Sequence, residues 1–320
     1  MTVGRSDFLR QLSIIENLID EKIDLKIIIT GSHSKKIFGN TIYEIKNRKI
    51  KYYNCCPKKY FIDSKDLTKN IRNCIEKIDQ VFKKDSPNIL VLFGDRYEVL
   101  AAAIAAFGKN ILIVHVHGGS VTLGSFDDQI RHSLTKLSHI HLTSHNDYVK
   151  RIIQLGEEKW RIKNLGAPGL DVTKKFSKKL NNVFINKFIF NTKKKYILFC
   201  FHPETTNLKK LNTQLKELKK VLLKIQYKII ITYPSSDPGS EKIISFFKKM
   251  VSKNKNKFIF IKNISEDYYF LLKNCEFVLG NSSSGIVEAA TFYKPVVNIG
   301  SRQLGKIIPK NVLCCEINKD

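Results

Sequence analysis

Apolar and polar positions along the chain alternate between two textures. Short apolar runs at 25–30, 89–93, 111–116, 196–201, 228–232, 258–261 and 277–279 are set off by polar or glycine positions, which predicts buried strands. Between them apolar residues recur at helical spacing over 6–20, 63–83, 146–155, 208–225 and 267–273. Strands alternating with amphipathic helices predict an α/β fold of parallel sheets wrapped by helices. The stretch 174–194 is Lys/Asn-rich and weakly patterned, so it is the expected boundary between two such domains, 1–172 and 173–320, facing each other across a cleft.

Composition narrows the class. The chain has 320 residues, 43% of them apolar, enough for two cores. Its net charge of +26 would suit a polyanion, but the lysines are scattered over amphipathic helical patterns. A solvated basic surface is therefore expected, with no nucleic-acid partner. Seven cysteines include the adjacent pairs Cys55-Cys56 and Cys314-Cys315 without ligand-like spacing, as free thiols in a cytoplasmic protein would be. No run approaches the roughly 18 apolar residues of a membrane span, and no signal-peptide pattern is seen, so no membrane partner is expected.

The chemistry concentrates in 94–145. Gly94-Asp95-Arg96 ends one predicted strand and His117-Gly118-Gly119 another, and Asp127, Asp128, Arg131 and His132 follow within one or two helical turns. Charged tips at strand ends are what an open α/β sheet offers a ligand. Further on, the small residues 280–285, GNSSSG, precede a helical pattern, so Ser282, Ser283, Ser284 and Gly285 form a candidate diphosphate seat. An ordinary serine N-cap fits the same residues. Glu288 could accept hydrogen bonds from two ribose hydroxyls. A metal hydrolase is the competing enzyme class, because His115 with His117, and His139 with His141, are HxH pairs. The two strands need not bring those faces together, and no metal and no cofactor is expected. A nucleotide-sugar binder without turnover is the third reading.

Ten blocks in collinear order carry a resemblance over nearly the whole chain: GRSDF (4–8), TGSH (30–33), GDR (94–96), HVHGG (115–119), DDQIRHSLTKLSHIH (127–141), GAPGLD (166–171), FHPET (201–205), TYPSSDPGS (232–240), GNSSSGIVEA (280–289) and NIGSRQLGK (298–306). Together they resemble the hydrolysing UDP-N-acetylglucosamine 2-epimerases, which are similar to non-hydrolysing epimerases and to B-type glycosyltransferases. The resemblance implies two Rossmann-like domains of the glycosyltransferase-B type and, as homo-oligomer, a dimer or tetramer. It implies elimination of UDP from UDP-N-acetylglucosamine and hydration of the resulting glycal to N-acetylmannosamine, for sialic-acid-type sugars. A UDP- or GDP-linked diacetylbacillosamine-type sugar is the alternative substrate.

That chemistry needs proton-transfer groups on both faces of the sugar ring and electrostatic help for the departing diphosphate. The resemblance places Asp95, His117, Asp127, Asp128 and His202 in the catalytic roles. Arg5, Arg96 and Arg302 fall near the phosphates, and His33, Arg131 and Glu288 among the substrate contacts. The chain departs from the pattern at Ser120, where relatives commonly carry a glutamate. His117 can still move protons, with an ordinary pKa of about 6.5. Only Met1-Thr2-Val3 precede the GRSDF block and Glu316 lies near the end, so a shortened first strand and missing closing helices are expected, with marginal stability.

Overall fold

A computed structural model describes residues 1–57, 66–180 and 195–317, leaving aside the Arg5 side chain. The chain divides into two compact α/β units, one of Met1–Val121 with Phe126–Gly169 and one of Thr122–Ser125 with Leu170–Asp320. The two-domain α/β class predicted from the alternation of strand and helix is the class observed. Residues 181–194, most of the expected boundary, lie outside the described residues. The loop Thr122–Ser125 groups with the second unit, which no local pattern signals: Leu123 N–H bonds the Leu304 carbonyl at 2.9 Å and Thr206 Oγ1 the Gly124 carbonyl at 3.2 Å.

The first unit runs α1 (Arg5–Asp20), β1 (Ile27–Ile29), α2 (Ile42–Lys46), β2 (Tyr52–Asn54), α3 (Leu67–Asp85), β3 (Ile89–Phe93), α4 (Tyr97–Phe107), β4 (Leu112–Val116), α5 (Asp127–Leu137), β5 (Ile140–Thr143), α6 (Asn146–Gln154) and β6 (Ile162–Asn164). All pairs are parallel, β1 with β2 and β3-β4-β5-β6 in order. Residues 1–3 lie between these two groups. Thr2 makes a parallel bridge to Ile29, and the Met1 ammonium donates to the Val91 carbonyl at 3.0 Å. Chain order thus runs from 1–3 outward to β1 and β2, then back to β3 and outward to β6. The switch point falls between Val3 and β3, flanked by the GRSDF and GDR loops. In open α/β sheets that is where ligands bind.

After α7 (Asp171–Phe176), the second unit runs β7 (Tyr196–Cys200), α8 (Leu211–Lys224), β8 (Lys228–Thr232), α9 (Ser240–Ser252), β9 (Phe258–Ile261), α10 (Asp267–Asn274), β10 (Val278–Gly280), α11 (Ser283–Val287), β11 (Val296–Ile299) and β12 (Val312–Cys315). Its six-stranded sheet has the order β12-β11-β10-β7-β8-β9, parallel throughout. The switch point here lies between β7 and β10. Alternate residues feed two cores: Leu198, Ile230 and Val278 on one face, and Ile197, Phe199, Ile229, Ile231 and Leu279 on the other. Burial of such a side chain stabilises by about 1.5–3 kcal/mol, which explains the near-continuous apolar strands. Among the described residues no helix is long and apolar enough to cross a membrane.

Candidate functional site

In the first unit the acidic and basic candidates converge on one side chain. Arg131, on α5, is 1% exposed. Its Nε donates to Asp95 Oδ2 at 3.0 Å and its Nη2 closes the second limb on the same oxygen. Its Nη1 donates to Asp128 Oδ1 at 3.1 Å and to the Ser120 carbonyl at 2.8 Å. A buried guanidinium is tolerable only when paired. Burial works against its charge, but Asp95 together with Asp127 and Asp128 outweighs that and raises the pKa further. Arg131, expected as a substrate contact, is instead engaged with two candidate carboxylates and the loop that follows Gly119. Asp95 and Asp128 remain partly exposed, at 29% and 18% of their side chains, so each can face solvent while held from behind.

His117 directly follows β4 with φ +72°, a left-handed backbone that histidine adopts more readily than most residues. Its ring meets Phe93 edge-on at 5.0 Å, beside the start of the GDR loop. Gly119, at φ +80°, could not carry a side chain, because a Cβ would lie 2.5 Å from the Tyr148 carbonyl. The double glycine therefore lets the loop pack on α6, where Arg151 Nη1 donates to the Gly119 carbonyl at 2.7 Å. Asp127 occupies the first turn of α5 with Asp128. His132 lies 3.5 Å from Asp128, and burial lowers its pKa although Asp128 pulls the other way.

Two expected substrate contacts have structural partners. His33 is fully buried, with Nε2 3.0 Å from Thr2 Oγ1 and Nδ1 2.8 Å from Thr41 Oγ1. Burial holds its pKa down to about 3. A neutral ring bonded on both edges fixes residues 1–3 and has no surface for a ligand. Arg96 Nε donates to the buried Glu98 at 3.1 Å, so its charge is already shared. The Arg5 side chain lies outside what the structure describes; its backbone opens α1 at the switch point. Sequence reasoning missed Asp7 of the same GRSDF block. Burial raises its carboxyl to about 6, with Arg96 and Arg10 pulling it down and Glu98 and Asp95 pushing it up.

In the second unit the switch point is clamped by Asn281. Its Oδ1 accepts from the His202 N–H at 2.6 Å and its Nδ2 donates to the His202 carbonyl at 2.9 Å, joining the loops after β7 and β10. Gly280, at φ +135°, brings those strands so close that a Cβ would meet the Cys200 carbonyl oxygen at 1.9 Å. The His202 ring accepts from the Ser235 N–H at its Nδ1, 2.9 Å away, so a neutral ring carries its proton on Nε2, 3.2 Å from Cys200 Sγ. Ser235 Oγ donates to Asp237 at 2.5 Å, and Asp237 faces Arg302 at 3.9 Å. Arg302 also donates to the Asn281 carbonyl at 3.3 Å. His202 and Arg302, predicted separately, thus belong to one network through Asn281, Ser235 and Asp237, which the sequence reading did not single out although the last two stand in TYPSSDPGS.

The serine-rich loop is built as an N-cap. Ser282 Oγ accepts from the Ser284 N–H at 3.3 Å, Ser284 Oγ lies 2.6 Å from the Tyr268 hydroxyl, and a Cβ on Gly285 would sit 2.9 Å from Val296. Ser283 opens α11, which ends at Val287, with Glu288 as its 2% exposed C-cap. The helix predicted to run through 286–292 breaks there into a short 3-10 turn, Ala289–Phe292. In FHPET the buried Glu204 accepts from the Ser301 N–H at 2.7 Å and from Gln214 at 2.9 Å, anchoring the loop that carries Arg302.

The HxH pairs do not assemble into a ligand set. His115 pairs in register with His141, while His139 Nδ1 accepts from the Ile113 N–H at 3.0 Å and His145 caps α6. Among the described residues no group of three or more His, Cys, Asp or Glu side chains could hold a metal ion.

The family model described as UDP-N-acetylglucosamine 2-epimerase matches residues 17–320. The UDP-N,N'-diacetylbacillosamine 2-epimerase (hydrolyzing) of Legionella pneumophila is 33% identical over 100% of this chain and 85% of its own length. The GDP/UDP-N,N'-diacetylbacillosamine 2-epimerase (hydrolyzing) of Campylobacter jejuni is 36% identical over 93% of this chain and 78% of its own. Among solved structures, Methanocaldococcus jannaschii UDP-GlcNAc 2-epimerase in complex with UDP-GlcNAc and UDP shares the fold at TM-score 0.81 and 18% identity, over 98% of this chain and 87% of that one. With the family model spanning most of the chain and relatives above 30% identity along nearly all of it, this chain belongs to the UDP-N-acetylglucosamine 2-epimerase family.

Proposed function

We propose that the chain is a hydrolysing 2-epimerase of a nucleoside-diphosphate N,N'-diacetylbacillosamine-type sugar. The observation that carries the reading is the identity, 33% and 36% over at least 93% of the chain, to two enzymes named for that reaction. In the proposed reaction a base takes the proton from carbon 2, the bond from carbon 1 to the diphosphate oxygen breaks, and the electron pair forms the glycal double bond. Water then adds its oxygen to carbon 1 while a proton enters carbon 2 from the opposite face. Proton transfer falls to Asp95, Asp127, Asp128 and His117, with Arg131 hydrogen-bonded to two of these carboxylates. The anion and nucleotide fall to His202, Arg302, the loop Ser282–Gly285 and Glu288. Ser120 supplies a carbonyl to Arg131, a role that its side chain does not touch. UDP-N-acetylglucosamine is the second reading, favoured by a 32% identical Neisseria meningitidis relative named UDP-N-acetylglucosamine 2-epimerase.

The test is NMR of the protein with UDP-diacetylbacillosamine, GDP-diacetylbacillosamine and UDP-N-acetylglucosamine in parallel. Release of free nucleoside diphosphate with the 2-epimeric sugar, at the highest kcat/KM for a diacetylated substrate, is expected. A preference for UDP-N-acetylglucosamine replaces the first reading with the second, and no release from any of the three defeats both.

A further inference from the structure

His115 is fully buried in β4 and is not among the groups assigned to proton transfer. Its Nε2 lies 2.8 Å from the Gly94 carbonyl oxygen. A carbonyl can only accept, so Nε2 carries the proton. Nδ1 is buried without a hydrogen-bond partner, and a Cβ placed on Gly118 would come within 3.1 Å of it. The ring is therefore packed beneath the His117–Gly119 loop while its other edge reaches the Gly94–Arg96 loop. The Gly94 N–H also goes to β4, bonding the Val116 carbonyl at 3.0 Å.

Gly94 sits at φ +80° with no atom within 4 Å of where its Cβ would be. Gly94 has no side chain of its own to limit rotation of the peptide plane between Gly94 and Asp95, and glycine crosses such conformations at little cost. That plane contains the Gly94 carbonyl and the Asp95 N–H, so its orientation sets where the Asp95 carboxylate leaves the backbone. The hydrogen bond from His115 acts directly on that carbonyl and restrains it.

We propose that His115 is a positioning residue: as a neutral Nε2–H donor it locks the Gly94–Asp95 peptide plane and so aims Asp95 at Arg131 and at the substrate. Burial holds its pKa at about 4, against which the Gly94 hydrogen bond pulls only partly, so the ring stays neutral at working pH. His141, its neighbour on β5, is bonded instead to Glu157 at 3.3 Å, and the two histidines have separate duties. The catalytic consequence rests on the proposed role of Asp95. The positioning itself does not.

The test uses the full chain with His115→Leu, which removes the donor, and His115→Gln, whose amide nitrogen can replace Nε2–H. The expected result is a kcat loss of about a hundredfold for Leu, the scale of a misplacement near 1 Å. KM and UDP affinity should stay within about twofold, and Gln should recover most of kcat. Nitrogen-15 NMR of the wild type should show His115 neutral and Nε2-protonated from pH 5.5 to 8. The Arg131 Nε–H resonance, which reports its bond to Asp95, should move in Leu and return in Gln. An Nδ1-protonated or charged ring, an Arg131 signal unmoved in Leu, or a Gln variant as impaired as Leu overturns the proposal. If the wild type releases no nucleotide, the functional reading fails while the NMR result still decides the positioning.

Discussion

Arg131 shows how much of the candidate site is organised around one buried charge. It bonds Asp95 twice and Asp128 and the Ser120 carbonyl once each, four donors in a planar fork where a lysine ammonium offers three. Arg131→Lys should therefore leave the protein folded but cost turnover nearly as much as Asp95→Asn, for which a loss of at least about a hundredfold is expected from an acid-base group. Steady-state kinetics beside a thermal melt checks both, and near wild-type turnover in Asp95→Asn removes that carboxylate from the mechanism. Asp7 gives a pH-dependent prediction. Its carboxyl is raised from 3.8 to about 6 by burial, so its contribution favours the folded state most below the ordinary value and is lost as pH rises through about 6. Asp7→Asn should raise the thermal midpoint above pH 6 and leave it unchanged near pH 4. A parallel shift at both pH values assigns the effect to packing instead.

At the scale of elements, strands β3, β8 and β9 begin and end where the apolar runs do, because a strand buried on both faces writes its limits directly into the sequence. Charged tips at strand ends were legible for the same reason, and they mark Asp95, His117 and His202. What was not legible is which backbone each polar side chain serves. Glu204 and Asn281 read as ordinary loop residues, yet each bonds a segment tens of positions away, and no local period records such a partner. Likewise β12 was not foreseen, since its Leu313 and Cys314 lie exposed at a sheet edge. The close approach of β7 and β10 gives a test of this packing. Gly280→Ala would place a methyl 1.9 Å from the Cys200 carbonyl oxygen in a backbone at φ +135°. It should destabilise the second unit by at least about 3 kcal/mol, combining strain with overpacking. Urea unfolding monitored by hydrogen exchange in β7 and β10 measures it, and a cost below about 1 kcal/mol would show that the strands can part.

For the molecule as a whole, the net charge of +26 is the property that solution conditions reach most easily. Lys209, Lys216 and Lys219 are exposed along α8 and its lead-in, as are Lys242 and Lys248 on α9. Few acids share these faces, so the repulsion is largely uncompensated. Self-repulsion at this charge disfavours the compact state, and the same field draws in a diphosphate substrate. Salt shortens the reach of both, from about 30 Å at 0.01 M to about 8 Å at 0.15 M. The two effects therefore move oppositely: as salt rises at neutral pH, the thermal midpoint should climb while kcat/KM for the nucleotide sugar falls, with kcat unchanged if the groups proposed to react are held by buried contacts such as that of Arg131 to Asp95. Melting curves and initial rates across that salt range, with sodium chloride and a neutral osmolyte compared, test the argument. A kcat/KM indifferent to salt would mean that the basic surface plays no part in capturing substrate, and a kcat that falls with it would place a salt-sensitive step after binding.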